Sequence, residues 1–464
     1  MRVRIGSTAA AAVLSVAGLL GIASQPARAA AAAARDNSPT AARDAAPATA
    51  RDNSPTAARG SFYRYTGSRP LAQVPPGTVL KTRTLSYHVL GIPLPVRVIQ
   101  LQYRSAGALG QPTVNVTSVL KPPVPLSSPR AVSYQSFYDT LNPADEPSVQ
   151  IAGDVTLGGL ITDAESVIIA PLLLQGDTVI VPDTEGQTAD FSSGREYGIN
   201  TLNSIRAATS SQLTGIAAGT PVGMIGYSGG AIATDWAAQL APSYAPDVNR
   251  HLVGAAEGGI LADPAHNLTY ISGSLSWAGT IPMAIIGIAR GYHIDIQPYL
   301  SSYGRQLYGK LQKASITSVL SQYPGLTFAQ LVKPRYANPA SIHILVRVEN
   351  KLDAGLAGSP TIPMFMGQGA DGILEGTPGD KPGIGPGDGV MIAGDVRTLA
   401  RGFCSSGTAV DYTQYDLLSH VTAFPVWGPA ALAWLGGRFA GAQAPDDCAQ
   451  IPPGNSLAPV KPAG

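Results

Sequence analysis

The sequence predicts an α/β fold in which a mostly parallel sheet carries helices on both faces and holds an inserted helical cap. Three observations lead there. Short apolar runs rich in β-branched residues recur along the chain, several of the later ones alternate with helical segments, and between Gly258 and about Pro339 that rhythm gives way to helix-like sequence.

Strands are expected at Val96 to Arg104, Val114 to Lys121, Ala131 to Phe137, Thr178 to Pro182, Val222 to Tyr227, Leu252 to Ala256, Pro360 to Gly367 and Thr408 to Tyr412. The first ones alternate apolar and polar residues, as half-exposed antiparallel strands do. The later ones are continuously apolar, as buried parallel strands are. Ile342 to Val348 also reads as an apolar strand. Helices are expected at Ala231 to Leu240 and Pro429 to Phe439, and within the insertion at Ile281 to Ala289, Leu307 to Leu320 and Phe328 to Leu331. An insertion after the helix at Ala231 would lie near the C-terminal ends of the strands, where sites form in open sheets.

The ends of the chain are of a different kind. Arg2 and Arg4 precede an apolar run from Ile5 to Ala23, and Ala27-Arg28-Ala29 resembles a cleavage signal, so residues 1–29 read as a secretory leader. Residues 30–59 contain Ala-Arg-Asp-Asn-Ser-Pro-Thr-Ala-Ala-Arg twice, ending at Arg43 and Arg59. Without large apolar side chains, burial cannot offset the entropy of ordering such a stretch, so it reads as a flexible linker. Residues 60–464 then form one domain, with the cap at about 258–339. This places the protein outside the cell, free or held at its surface.

A net charge of +1 with 13% charged residues supplies no basic field for phosphates, which argues against a nucleic-acid partner. The two cysteines, Cys404 and Cys448, belong to the exported part and are expected to pair. Asn115-Val-Thr117 and Asn267-Leu-Thr269 match the glycosylation sequon by pattern alone.

Gly226-Tyr227-Ser228-Gly229-Gly230 fits G-x-S-x-G. In a chain with 52 glycines that pattern is weak by itself. Its context strengthens it, because Pro221 to Gly226 reads as a buried strand and Gly230 onward as a helix start, the strand-turn-helix of a nucleophile elbow. At such a turn the Ser228 hydroxyl is exposed at a helix N-terminus, where the Gly229 N–H can point at an oxyanion.

A serine hydroxyl needs a base. His88 precedes the elbow, His251 follows its helix closely, His266 and His293 fall at or in the insertion, and His343 lies in the apolar run. His420 remains, in a loop between a strand and a helix, late enough for the order Ser, acid, His. The acid chosen is Asp371, which closes the hydrophobic segment Pro363 to Gly372. Asp353, Asp380, Asp388 and Asp395 compete with it; Asp380 and Asp388 lie in a Gly/Pro-rich loop where solvated carboxylates are common. Cys404 and Cys448 bracket His420, so their bridge is expected to pin the histidine loop.

Taken in order, Tyr134 to Thr140, Asp177 to Gly186, Gly226 to Ala231, the loop at Asp371 and the Tyr412-x-x-Tyr415 run ending at His420 resemble the secretory lipase family, a branch of the α/β-hydrolases with fungal lipase A-type members. The likeness extends over most of the mature chain. It implies Ser228, Asp371 and His420 as a triad, Asp139 and Gly229 in the oxyanion hole, and a lipase-like activity on acyl esters beneath a helical cap. A carboxylate cannot donate a hydrogen bond, so Asp139 would serve only when protonated, which burial can bring about. Gly367-Gln-Gly369 departs from the His-Gly opening expected of the acid loop.

The expected function is hydrolysis of carboxylic esters, lipids among them, through an acyl-enzyme, with no metal or cofactor. Transient contact with a lipid interface is expected, and Ile281 to Ile288 could face it. Acyl transfer to another alcohol, peptide hydrolysis and a non-catalytic hydrolase scaffold are the alternatives.

Overall fold

A computed structural model describes residues 60–463; the leader and repeat expected in residues 1–59 lie outside them. Among the described residues nine strands form one sheet in the order β1-β2-β3-β5-β4-β6-β7-β8-β9. Their ranges are β1 Val79–Val89, β2 Ile92–Ala106, β3 Pro112–Leu120, β4 Ala131–Gln135, β5 Thr178–Pro182, β6 Val222–Tyr227, β7 Leu252–Gly258, β8 Met364–Gly369 and β9 Val410–Tyr415. The first three strands and the β3–β5 contact pair antiparallel; from β5 onward every pairing is parallel.

All eight strands expected at the start are present within a few residues of their bounds. The additional one is β1, an edge strand whose burial alternates between partly covered and exposed. Polar residues such as Lys81, Arg83 and His88 hide it from a search for apolar runs. Ile342 to Val348 is the opposite case: the run belongs to a helix, His343–Leu352, not a strand. Ile342, Val346, Glu349 and Leu352 are buried at spacings of four and three, which puts them on one helical face.

Two apolar layers enclose the sheet. One joins it to the helices Gly194–Ser210, Gly229–Tyr244 and Ala393–Ser405 through Leu202, Trp236, Leu240, Val396 and Phe403. The other joins it to the helices Ser166–Leu174 and His420–Phe439 through Ile169, Leu172, Trp427 and Leu435. Burying a Leu, Ile or Phe side chain contributes roughly 1.5 to 3 kcal/mol, so these layers fix the strand ends that carry the site.

Between β7 and β8 the chain runs through the helices Pro264–Ile271, Thr280–Gly291, Ser302–Lys310, Ile316–Val319, Phe328–Leu331 and His343–Leu352. The single helix expected from Leu307 to Leu320 is therefore two. The inserted helices share one core, including Ile281, Met283, Val319 and Phe328, to which Leu141, Val390 and Met391 also belong. Those last three come from loops at the C-terminal strand ends, so the insertion packs directly over that end of the sheet.

Cys404 and Cys448 are bonded, closing a separation of 44 residues. In the chain-entropy model such a closure stabilises by about 4 kcal/mol. Cys448 lies beside the carbonyl of Thr408, and its neighbour Asp447 binds the backbone of Val410 and Tyr412. The bridge thus sits where β9 begins, whereas His420 follows the end of β9. The expected role of pinning the histidine loop is corrected accordingly, since a strand length of about 15 to 20 Å separates the two.

Beyond the bridge the C-terminal segment crosses the molecule. Asn455 donates to the Ile384 carbonyl and to Asp395, Val460 and Asn350 exchange two hydrogen bonds, and the Ala463 N–H reaches the Ala340 carbonyl. Asn115 and Asn267 are buried and donate to backbone carbonyls, so the folded chain offers neither sequon to a glycosylating enzyme.

Candidate active site

β6 ends at Tyr227 and a helix begins at Gly229, leaving Ser228 at the turn with φ 54° and ψ −121°. A residue with a β-carbon in that region costs of order 1 to 3 kcal/mol. The turn is held by the Ser228 N–H, which donates to the Gly258 carbonyl at 2.8 Å, and by the Ile232 N–H, which donates to the Ser228 carbonyl at 3.1 Å. The hydroxyl consequently projects beyond the sheet at the mouth of the helix.

His420 stands opposite it. Its Nε2 lies 2.7 Å from Ser228 Oγ, and its Nδ1 lies 2.8 Å from Asp388 Oδ2. Because an ionised carboxylate only accepts, Nδ1 carries the ring proton and Nε2 is left to accept from the serine. His420 is not in a loop: it is the first residue of the helix His420–Phe439, capped by Ser419. Pro425 and Pro429 lie inside this helix, and Pro429 makes its second half look like a separate helix in the sequence.

The acid against His420 is Asp388, not Asp371. Asp371 precedes the short helical turn Gly372–Glu375, and its backbone N–H donates to the Leu418 carbonyl. The chain loops out after β8 and returns, so that Asp388 comes to lie behind the imidazole. It is fully buried: Oδ1 accepts from the N–H groups of Val390 and Met391 at 3.0 and 2.7 Å, while Oδ2 also accepts from Gln368 Nε2 at 2.9 Å. Gln368 is the central residue of the Gly367-Gln-Gly369 stretch at the end of β8. The His420 N–H donates to the Asp388 carbonyl at 2.7 Å, tying base and acid through the backbone too.

Asp139 and Gly229 do meet. Asp139 follows β4 in a strained turn, φ 31°, and its carboxyl abuts Gly229 so closely that a Cβ at residue 229 would overlap Oδ1. Gly229 opens the helix, so its N–H has no intrahelical acceptor. Burial pushes the Asp139 carboxyl up to about 7, against the opposing pull of His420 and of its own backbone N–H. Below about pH 7 the site therefore holds a mostly neutral carboxylic acid and a backbone N–H side by side.

Further residues around His420 were not anticipated. Trp277, from the inserted segment, stands edge-on to the imidazole with centroids 5.2 Å apart, and its indole N–H donates to Glu375 at 2.5 Å. Glu375 also accepts from the Val421 N–H, while Tyr227 donates its hydroxyl proton to the His420 carbonyl. Gly259, at φ 61°, leaves room for the ring, because a Cβ there would fall 2.6 Å from His420 Cε1. Burial is the largest influence on the imidazole and lowers its pKa; Asp388, with Glu375 and Asp139, outweighs it and holds the value above the ordinary 6.5. Of these residues, only Gly259 carried a signal in the sequence, as the glycine pair ending β7.

A serine at a strained strand-to-helix turn, a histidine late in the chain and an acid between them, at the C-terminal end of a mostly parallel sheet, define an α/β-hydrolase. Comparison with known proteins narrows the class. The family described as secretory lipase matches residues 150–373, which include Ser228 and Gly229. The chain is 30% identical over 372 residues to the probable inactive lipase of Mycobacterium tuberculosis, covering 79% of each, and 29% identical over 388 residues to Lipase 4 of Candida albicans, covering 81% of this chain and 80% of that one. Candida antarctica lipase A in its closed state superposes with a TM-score of 0.72 at 25% identity, covering 87% of this chain and 90% of that one. A rice cell wall degrading esterase, LipA of Xanthomonas oryzae, shares the fold at a TM-score of 0.59 and 16% identity, over 80% of this chain and 100% of that one. The chain belongs to the secretory lipase family.

Proposed function

We propose that this protein is an exported serine hydrolase that cleaves carboxylic esters with acyl chains, lipids among them, in two acyl-transfer steps. The observation that carries the reading is the unbroken hydrogen-bonded chain from Ser228 Oγ through the His420 ring to Asp388. Ser228 attacks the ester carbonyl as its proton passes to Nε2, and the tetrahedral oxyanion accepts from the Gly229 N–H and the protonated Asp139 carboxyl. His420 returns the proton to the leaving alcohol. Water, deprotonated by the same imidazole, then releases the acid and restores Ser228. Asp388 fixes the tautomer of His420 and stabilises the imidazolium.

The family supplies the substrate class, and the apolar inserted helices over the site support an acyl-binding role for them. Ser228→Ala is expected to abolish hydrolysis of a chromogenic short-chain ester while circular dichroism stays that of the wild type. Turnover near the wild-type level in that variant would overturn the assignment.

One observation favours a second reading, a scaffold without activity: a relative at 30% identity is a probable inactive lipase. Against it stands the bonding distance kept at each step from Ser228 to Asp388. Labelling by a fluorophosphonate, blocked in Ser228→Ala, separates the two.

A further inference from the structure

The segment Asp177 to Gly186 carries part of the family likeness, yet the hydrolytic scheme uses none of it. Its penultimate residue, just past β5, is Glu185, whose side chain is fully buried. Both carboxyl oxygens accept from the Thr140 N–H, at 3.1 and 3.2 Å, and Oε1 also accepts from the Tyr197 hydroxyl at 2.9 Å. The Glu185 backbone N–H donates to the Tyr138 hydroxyl at 2.8 Å. One residue is thereby bonded to both sequence neighbours of Asp139.

Asp139 needs such support. Its φ of 31° is sparsely populated for a residue with a β-carbon and persists only where the surroundings over-determine it. A third restraint comes from the inserted helices, where the Ile316 N–H donates to the Asp139 carbonyl at 2.9 Å. None of these three bonds uses the Asp139 carboxyl, which stays against Gly229.

We propose that Glu185 is the positioning residue of the oxyanion pocket: by bonding to Tyr138 and Thr140 it fixes the turn that aims the Asp139 carboxyl at the space beside Gly229 and Ser228. This rests on the reading of Asp139 as an oxyanion donor. The titratable groups around Asp139 are Glu185, Glu165, Tyr197 and His420. Glu165 holds the preceding part of the loop, accepting from Ser136 Oγ and the Phe137 N–H. Removing the Glu185 side chain loosens the turn and is expected to let water reach the buried Asp139 carboxyl, which favours its ionised form.

The test compares Glu185→Ala, Glu185→Gln and Asp139→Ala with the wild type, reading kcat, KM and the alkaline limb of the pH profile on a soluble ester. In Glu185→Ala, kcat is expected to fall on the order of tenfold to a hundredfold with KM little changed, and the alkaline limb to move to lower pH. Glu185→Gln, which keeps an acceptor for Thr140, is expected to recover most of the loss. A wild-type kcat and alkaline limb in Glu185→Ala, or a Gln variant as impaired as the Ala variant, overturns the proposal. An impaired Asp139→Ala beside an unaffected Glu185→Ala removes this proposal alone, whereas a wild-type Asp139→Ala removes the reading of Asp139 and the proposal with it. Should Glu185→Ala fail to fold, Tyr138→Phe removes the acceptor of the Glu185 N–H and is expected to lower kcat several-fold with the same shift of the limb; wild-type behaviour there overturns the proposal.

Discussion

Asp388 and Asp371 show how two carboxylates in one loop acquire different environments. Asp388 is flanked by Gly387 and Gly389, a context typical of a solvated turn, yet the apolar run Val390 to Ala393 that follows draws the loop into the core and turns two backbone N–H groups onto its side chain. That apolar run was the available signal. Asp388→Asn offers a neutral partner that favours the wrong imidazole tautomer, so kcat is expected to drop by about 10⁴-fold. Asp371→Asn is expected to stay within roughly threefold of the wild type, as a substitution outside the bonded chain. Steady-state kinetics on one ester compares them directly. The raised pKa values of His420 and Asp139 give a second expectation. His420 must be neutral to act as base, and its pKa lies above the ordinary value, so the rate rises as pH climbs through it. Asp139 must be protonated to donate, and burial pushes it up to about 7, so the rate falls as pH passes beyond that. The kcat/KM profile from about pH 5 to about pH 9 is therefore expected to be a bell centred near neutrality. Asp139→Asn, whose amide donates at every pH, should lose the alkaline limb and keep the acid one; an unchanged alkaline limb would discard the neutral-acid role.

At the scale of elements, legibility followed burial. Strands β4 to β8 lie inside the sheet, and their continuous apolar runs mark them plainly; β1, exposed along the edge, has the polar alternation of a loop. The run from Ile342 was ambiguous because a short apolar segment fits either period, and only its buried face distinguishes the helix. The helix that begins at His420 was half visible, since two prolines break its hydrogen-bond pattern without ending it. Placement of the disulfide was the least legible, because bracketing a residue in sequence says nothing about which end of a strand a bridge occupies. Cys404→Ser/Cys448→Ser is expected to lose about 4 kcal/mol of stability. Turnover per folded molecule should stay within about twofold at temperatures well below unfolding. Thermal denaturation beside active-site titration checks both, and a loss of turnover in the folded variant would restore a role for the bridge at the histidine.

For the whole molecule, the chain order of the chemistry was readable from the sequence because topology enforces it. The connection from β5 to β6 crosses over β4, so the loops after β4 and β6 adjoin at the point where strand order reverses. Asp139 and Ser228 leave from those two loops. Asp388 arrives from the loop after β8 and His420 from the first turn of the helix after β9, and no composition or spacing encodes how far that loop must travel before it turns back. The inserted helices complete the enclosure, and the segment after the disulfide fastens them: its asparagine at 455 holds the loop leading to Asp388, while residues 460 and 463 hold the helix His343–Leu352 and the turn before it. Residue 463 consequently lies against the turn that leads into the last of the inserted helices. A surface-coupling chemistry placed at residue 463 would hold the molecule by the side of the layer that packs over the C-terminal strand ends, so the choice of attachment point also selects which face is left free to meet a substrate.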